Sequence, residues 1–141
     1  MSTSKTTGKG TLLAFSEGRR NGSGDSRAIN LLLKRSFDNG KTWTDQHVVV
    51  SHGNDTIGNP CPVVDRKTGA IWLLLTGNPG DTGKAKIMKA IAPGTRTVWV
   101  TKSTDDGATW VPAVEITKHV KLPDWTWYAT GPGNGIQLGN G

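Results

Sequence analysis

The sequence is poor in the residue types that bind metal ions or cross-link protein chains. It has one cysteine, Cys61, among 141 residues, which excludes an internal disulfide bond and a zinc site built from several cysteines. Its three histidines, His47, His52 and His119, do not show the spacing of metal ligands. We therefore expect no metal and no cofactor, a buried Cys61, and histidines that are ordinary surface residues.

Long apolar runs are also missing from the sequence. No stretch approaches the roughly 20 apolar residues that a membrane-spanning helix needs, and the opening MSTSKTTGKG lacks the apolar core of a signal peptide. We therefore expect no insertion into a membrane, while the cellular compartment and the oligomeric state stay open. The apolar content of 34% is low for a globular domain, and the 19 glycines favour short strands joined by tight turns.

The formal net charge of +6 raises the alternative of an acidic partner such as nucleic acid. The lysines and arginines are spread between Lys5 and Lys121 without a dense run, which argues against a nucleic-acid surface. The sequence therefore predicts no nucleic-acid partner.

One eight-residue pattern, S-x-D-x-G-x-T-W, occurs twice, and the two copies start 67 residues apart. The aspartate of each copy is placed to accept hydrogen bonds from the backbone of its own loop, and the glycine permits a positive φ that other residues adopt only with strain. The tryptophan offers a large apolar face at the start of the next strand. Each copy predicts a self-stabilised hairpin turn, built by Ser36, Asp38, Gly40, Thr42 and Trp43 in the first and by Ser103, Asp105, Gly107, Thr109 and Trp110 in the second.

Short apolar runs rich in Val, Ile and Leu alternate with turn-forming clusters along the chain. The alternation predicts a nearly all-β protein, with a turn or two of helix between Lys84 and Ala92. Both copies of the eight-residue pattern fall between a long strand and a short one. The predicted strands are residues 11–15, 29–35, 47–50, 62–65, 71–76, 97–102, 113–116 and 135–138.

The repeated pattern resembles the Asp box, or BNR repeat, of sialidases and other β-propellers. The resemblance implies four-stranded antiparallel blades with the box between the third and fourth strands. It divides the chain into a flexible start (1–10), an incomplete first blade without its first strand (about 11–50), a second blade (about 51–117) and the start of a third (about 118–141). We therefore expect about two blades, and the beginning of a third, of a six-bladed propeller.

The resemblance extends to the exo-α-sialidases along nearly the whole chain from Gly10. It rests on AFSEGRR followed by Gly24 and Asp25, on GNPCPVVDRKTGAIW, on the second Asp box and on PDWTWYATGPGNGIQL. It implies hydrolysis of terminal α-linked sialic acids with retention of configuration, and a sialylated glycan as partner. In an up-and-down blade the Asp boxes lie on one rim, so the site is expected on the other, in the loops 18–28, 52–61, 77–96 and 120–134.

The resemblance also implies roles for two residues of the first predicted blade. Arg19 matches an arginine of the triad that grips the sialic acid carboxylate, because a planar guanidinium group suits that anion. Asp25 matches the loop aspartate that acts as general acid and then as general base. If the match to the family's segment is shifted by one residue, Arg20 takes the place of Arg19 as the carboxylate-binding arginine. Arg27 is a third choice for this role.

Three further residues match the surroundings of the sugar in this family. Asn59 matches a segment beside the N-acetyl pocket, although an asparagine before a proline is also typical of a turn. Trp127 and Tyr128 match a pocket wall, although aromatic residues also pack between blades. Both alternatives stay open for each residue.

Several parts of the family's catalytic machinery have no match in this sequence. The R-I-P segment that carries another arginine of the triad is expected before Gly10 and is not there. The third arginine, the nucleophilic tyrosine and its glutamate are unmatched, and Tyr128 lies in surroundings that differ from those of the nucleophile. We therefore expect the isolated chain to show no sialidase activity. Two other hypotheses stay open: a non-catalytic Asp-box propeller that binds glycans or protein, and a truncated remnant without function.

Overall fold

The protein consists almost entirely of β-strands connected by turns, which confirms the predicted all-β class. The computed structural model describes residues 1–20, 28–90 and 95–140. Two short helices, α1 (Lys84–Met88) and α2 (Thr117–Val120), accompany the strands, and α1 lies where the sequence predicts a helix. The strands are β1 (Ser2–Thr6), β2 (Leu12–Arg19), β3 (Ile29–Ser36), β4 (His47–Val50), β5 (Thr56–Val64), β6 (Ile71–Asn78), β7 (Thr97–Ser103) and β8 (Val114–Glu115).

The strands form two four-stranded antiparallel units. In the first unit β1 pairs with β2, β2 with β3 and β3 with β4, and in the second unit β5 to β8 pair in the same succession. A parallel contact between Ile29 and Thr56 joins β3 to β5. Each Asp box lies between the third and fourth strands of its unit, as the repeated pattern predicts. The proposed boundaries near residues 50 and 117 stay predictions.

The start of the chain departs from the sequence-based expectation. Residues 2–6 form β1, which pairs with β2, so the expectation of a flexible start and a missing first strand was wrong. The segment is short and polar, and it carries no apolar alternation that would predict a strand. It forms because β2 offers a row of backbone donors and acceptors. The hydroxyl of Thr3 also donates to the carbonyl oxygen of Gly133 at 3.0 Å.

The predicted strand at residues 135–138 was also wrong. This segment runs alongside β5, where the backbone N–H groups of Gly133 and Gly135 donate to the carbonyl oxygens of Pro60 and Pro62 at 3.3 and 3.0 Å. A proline has no N–H group with which to return such a bond. The reciprocal bonds of a regular ladder are therefore missing, and the segment stays irregular.

The apolar core lies between the two units. Side chains alternate between the two faces of a strand, so that on β6 Leu73 and Leu75 are fully buried while the neighbouring Trp72 is 39% exposed. Burial of each such side chain contributes roughly 1.5–3 kcal/mol. The two units therefore share one apolar cluster, which consists of Leu13, Phe15, Leu31, Leu33, Ile57, Ile71, Leu73 and Leu75.

The two Asp boxes form the same hydrogen-bond network, which confirms the predicted turns. Asp38 accepts from the backbone N–H and the hydroxyl of Thr42 at 2.8 and 2.6 Å, and Asp105 accepts from the same groups of Thr109 at 2.8 and 2.5 Å. The threonine hydroxyl, helped by the backbone N–H, lowers the pKa of each aspartate to about 2. The glycine two residues after each aspartate has a φ of 87° in the first box and 79° in the second.

The two boxes differ in what packs against them. Trp110 of the second box lies edge-on to Phe15 of the first unit, with ring centroids 5.8 Å apart. The carboxylate of Asp106 accepts a hydrogen bond from the hydroxyl of Thr11 at 2.5 Å. Trp43 of the first box is 41% exposed. The second box therefore joins the two units as well as closing its own hairpin.

Replacement of the Asp105 carboxylate tests this turn. We expect Asp105→Ala to lower the free energy of unfolding by about 1 kcal/mol, because the donors of Thr109 lose their acceptor. The folded pKa of Asp105 is about 2, below the ordinary value of 3.8, so its contribution is present above a pH of about 4 and is lost as the pH falls toward 2. Urea denaturation of variant and wild type at neutral pH and near pH ~2 measures both effects. The exposed Asp45, changed to alanine, is the control, and an equal loss in that variant would contradict the prediction.

Candidate functional site

A pocket of mixed lining lies between the two units at the end of the molecule opposite the Asp boxes. The boxes begin at the last residues of β3 and β7, whereas the pocket is formed where β2 ends and where β3, β5 and β7 begin. The cavity has a volume of about 220 Å³. Its lining combines charged, polar and apolar side chains, namely Met1, Glu17, Ile29, Thr56, Asn59, Lys84, Arg96 and Trp127.

A larger groove of about 630 Å³ runs beside β1 and β2 of the first unit. Ala14, Phe15, Leu33 and Trp43 line it together with small polar residues, and Lys34 is the charged residue of its lining. Functional pockets combine an apolar wall with several convergent polar groups. The smaller pocket meets this description better, because charged side chains from several segments converge on it.

Arg96 is the centre of the hydrogen-bond network in the pocket. It is buried, with 4% of the residue exposed. Burial lowers the pKa of Arg96 to about 10, and the charge of Glu17 opposes that shift, so the guanidinium group stays protonated at neutral pH. Its hydrogen bonds go to four neutral oxygen atoms, namely Asn78 Oδ1 at 2.5 Å, Thr76 Oγ1 at 2.9 Å, the Tyr128 carbonyl oxygen at 3.0 Å and Asn59 Oδ1.

The aromatic segment around residue 127 forms one wall of the pocket. The guanidinium carbon of Arg96 lies 4.1 Å, and the Nζ of Lys84 5.8 Å, from the ring centroid of Trp127. Tyr128 instead stacks on Trp125, with ring centroids 5.6 Å apart and planes inclined by 16°. The structure thus brings the Trp127 ring to the pocket, whereas Tyr128 contributes its backbone carbonyl group. Contacts of either residue with a sugar stay predictions.

Asn59 lies in the pocket wall with a left-handed backbone, at a φ of 53°, which asparagine tolerates better than most residues. Its Oδ1 accepts from Arg96 and, at 2.8 Å, from the hydroxyl of Thr76, while its Nδ2 donates to the carbonyl oxygen of Gly131 at 3.0 Å. Its backbone N–H donates to Oε1 of Glu17 at 3.0 Å. The amide is therefore engaged within the protein, which favours the structural alternative for Asn59, and its role beside an N-acetyl group stays a prediction.

The end of β2 carries an acidic and a basic side chain to the pocket. Glu17 and Arg19 continue the strand face that buries Leu13 and Phe15, because every second side chain of a strand lies on the same face. The side chain of Glu17 is 6% exposed and that of Arg19 30%, and Arg19 Nη2 lies 3.5 Å from Glu17 Oε2. The amino group of Met1 lies 3.2 Å from the same oxygen. β2 therefore places Arg19 at the edge of the pocket beside a largely buried carboxylate.

Arg20, the alternative to Arg19, is not among the residues that line the pocket. Arg20 follows the last residue of β2 and is exposed, and its backbone N–H donates to the carbonyl oxygen of Ala28 at 3.1 Å. Asp25 and Arg27 lie outside the described residues. The assignments of Arg19 and Asp25 by resemblance therefore stay predictions.

Sequence reasoning did not identify the charged residues of the pocket lining, Arg96, Glu17 and Lys84. A single arginine before a strand belongs to no pattern, and the sequence indicates only that the loop 77–96 lies on the site's rim. Glu17 is the glutamate of the AFSEGRR segment on which the resemblance rests, and that segment was a signal that could have identified it. The charge around the pocket is positive on balance, because Arg96 and Lys84 line it and Arg19 lies beside Glu17, which is the one carboxylate among these residues. This balance favours an anionic ligand.

The described ranges 1–20, 28–90 and 95–140 contain no group of three or more His, Cys, Asp and Glu residues that could hold a metal ion. No helix in the same ranges is long and apolar enough to cross a membrane.

Comparison with known proteins gives the family. A family described as the BNR repeat-like domain matches residues 10–141. The chain belongs to this family. The match includes both Asp boxes, and the relatives of the chain are named sialidases, so the resemblance to the sialidases is confirmed.

Three sialidases show the extent of the similarity. An exo-alpha-sialidase of Arthroderma benhamiae is 40% identical over 152 residues, which cover 96% of this chain and 37% of the relative. A sialidase of Bacteroides fragilis is 35% identical over 150 residues, which cover 96% of this chain and 27% of the relative. The solved structure of a Hadza microbial sialidase has a TM-score of 0.87 at 32% identity and covers 99% of this chain and 30% of its own. The chain therefore spans between 27% and 37% of the length of these relatives.

Substitution of Glu17 tests the internal bonding of the pocket. We expect Glu17→Ala to lower the free energy of unfolding by about 1–3 kcal/mol, because the backbone N–H of Asn59 loses its acceptor. Glu17→Gln keeps an oxygen atom in that place and removes only the charge near Arg19 and Arg96, so its loss should be smaller. Thermal denaturation monitored by circular dichroism ranks the stabilities of the variants. Glu115→Ala, at an exposed position, is the control, and a loss there equal to that of Glu17→Ala would contradict the prediction.

Proposed function

We propose that this chain is part of a sialidase that hydrolyses terminal α-linked sialic acids of glycoconjugates, and that its pocket receives the sialic acid. The observation that carries the proposal is one cavity of about 220 Å³ that combines the positive charges of Arg96 and Lys84 with the ring of Trp127. Sialic acid is an anionic sugar, so the positive potential suits its carboxylate and the aromatic face suits its ring. The sialidase relatives support the same function.

The proposal gives Arg19 and Asp25 separate tasks. Arg19 binds the carboxylate, because a guanidinium group offers two parallel N–H donors to such an anion and Arg19 lies at the edge of the pocket. Asp25 protonates the leaving group and then deprotonates water, an effect worth roughly 10²- to 10⁴-fold in rate. Retention of configuration also needs a nucleophile, which in sialidases is a tyrosine, and we assign it to no residue of this chain.

The proposed reaction belongs to the whole protein that carries this chain. The chain spans 37% of the length of the Arthroderma benhamiae sialidase, so its own share is the binding of the sugar and the acid and base steps. We also propose that its two four-stranded units are two blades of a six-bladed propeller, since repeated units of this kind stack side by side.

Binding of sialic acid to the chain tests the proposal. We expect N-acetylneuraminic acid to shift the NMR signals of Arg19 and of the Trp127 indole. The methyl ester of the same sugar is the matched control, because it keeps the ring and removes the negative charge. It should bind much more weakly. Equal binding of acid and ester, or shifts confined to residues away from the pocket, would refute the proposed site.

The carboxylate contact of Arg19 gives a separate prediction. We expect Arg19→Lys to weaken the binding of N-acetylneuraminic acid by about 1–3 kcal/mol, because an ammonium group cannot form the two parallel bonds of a guanidinium group. Isothermal titration calorimetry measures the change. Arg20→Lys is the control and should leave the affinity unchanged. A loss that follows Arg20 instead would move the carboxylate contact by one residue.

The acid role of Asp25 predicts a dependence on the leaving group. In an active sialidase that contains this chain, Asp25→Ala should reduce the hydrolysis of natural sialosides far more than that of aryl sialosides, because a good leaving group needs little protonation. Steady-state rates on both substrates give the ratio. Equal losses on the two substrates would remove Asp25 from this role.

A further inference from the structure

The side chain of Arg96 connects three separate segments at the pocket. It reaches β5 through Asn59, the end of β6 through Thr76 and Asn78, and the irregular segment after α2 through the Tyr128 carbonyl oxygen. The same guanidinium group lies over the ring of Trp127, 4.1 Å from its centroid. Bonds in the guanidinium plane and the stack on its face therefore fix the arginine and the tryptophan relative to each other.

The donors of Arg96 are almost fully used within the protein. A guanidinium group has five N–H donors. Nε donates to the Tyr128 carbonyl oxygen, Nη2 donates to both Asn59 and Thr76, and Nη1 donates to Asn78. Four donors are thus occupied, and the fifth cannot form a bidentate contact alone. Arg96 therefore lacks the pair of free N–H donors that a bidentate contact with a carboxylate needs.

The segment that carries Trp127 is held at Asn59 and Arg96 on both sides of the ring. Residues 121–140, all of which the structure describes, contain no strand and no helix. The Thr130 hydroxyl donates to the Asn59 carbonyl oxygen at 2.7 Å, and Lys121 Nζ donates to the carbonyl oxygen of Arg96 itself at 2.8 Å. These two residues therefore hold the part of the segment around Trp127, while its later part is held by bonds that Gly133 and Gly135 form with β1 and β5.

We propose that Arg96 is a positioning residue that clamps the Trp127 ring and the Asn59 amide in place, so that a sialic acid meets a pocket wall that is already formed. Arg96 itself makes no contact with the ligand. The part of this inference that concerns a sialic acid rests on the proposed function, whereas the clamp itself does not. A wall fixed before binding saves the cost of ordering side chains in the complex.

Chemical rescue of an Arg96 variant tests the clamp. Arg96→Ala removes the guanidinium group, and added guanidinium at a concentration well below that which unfolds the protein can refill the space. The readout is the indole N–H signal of Trp127 in ¹⁵N-labelled protein, identified among the signals of the six tryptophans by its absence in Trp127→Phe. We expect this signal to move in Arg96→Ala without any ligand and to return when guanidinium is added. Arg66→Ala, at an exposed position, should leave it in place with or without guanidinium.

Ligand affinity separates positioning from a simple effect of charge. We expect Arg96→Ala to bind N-acetylneuraminic acid at least about tenfold more weakly and guanidinium to restore part of the affinity. Arg96→Lys keeps the charge but not the planar donors, so its Trp127 signal and its affinity should resemble those of Arg96→Ala. Trp127→Ala should lose a similar factor, and the double variant should lose little more, because the two residues act as one unit.

Three results would contradict the proposal that Arg96 positions the Trp127 ring. An unmoved Trp127 signal in Arg96→Ala would do so, and so would full affinity in Arg96→Lys or fully additive losses in the double variant. If Arg96→Ala does not fold, Arg96→Lys and Trp127→Ala still decide between positioning and charge. If the wild-type chain binds no sialic acid, the proposed function fails, and the ligand-free Trp127 signal with guanidinium rescue still decides the clamp.

Discussion

The burial of apolar side chains from both four-stranded units in one shared cluster is the constraint on which the remaining structure depends. Leu13 and Phe15 on β2 pack in one cluster with Leu73 and Leu75 on β6. The same strand faces continue beyond the cluster to the pocket, where apolar residues give way to polar ones. The bond from the Asn59 N–H to Glu17 Oε1 at 3.0 Å can form because the core holds β2 and β5 at that separation.

The pocket above this core contains buried charge that is stabilised by hydrogen bonds. Burial of a guanidinium group without partners is unfavourable by many kcal/mol, and a pKa of Arg96 lowered to about 10 reflects that effect. Neutral oxygen atoms of three segments satisfy the group, and the carboxylate of Glu17 opposes the shift. Such a network is stable only when each member is in place. The demand for complete bonding therefore also fixes the geometry of the pocket wall.

The two Asp boxes show how identical local chemistry serves different packing. Each carboxylate closes its turn with the same bonds, yet Trp110 packs on Phe15 whereas Trp43 is 41% exposed. Exposed apolar side chains also lie on the outer face of the second unit, where Trp72 is 39% exposed. Repeated units bury such faces against neighbouring repeats, which is consistent with relatives that are longer than this chain.

The sequence by itself determined the features that depend on neighbours along the chain. The two Asp-box turns, the all-β class, the short helix at Lys84–Met88 and the rim on which a pocket forms were predictable, because turn chemistry and strand alternation act within a few residues. The tertiary structure decided the rest. β1 forms only because β2 offers it a partner, and residues 135–138 fail to pair because the prolines of β5 return no N–H bond. Arg96 becomes the centre of the pocket because Asn59, Asn78 and Tyr128, which are far apart in sequence, converge on one guanidinium group, and no local pattern contains that convergence.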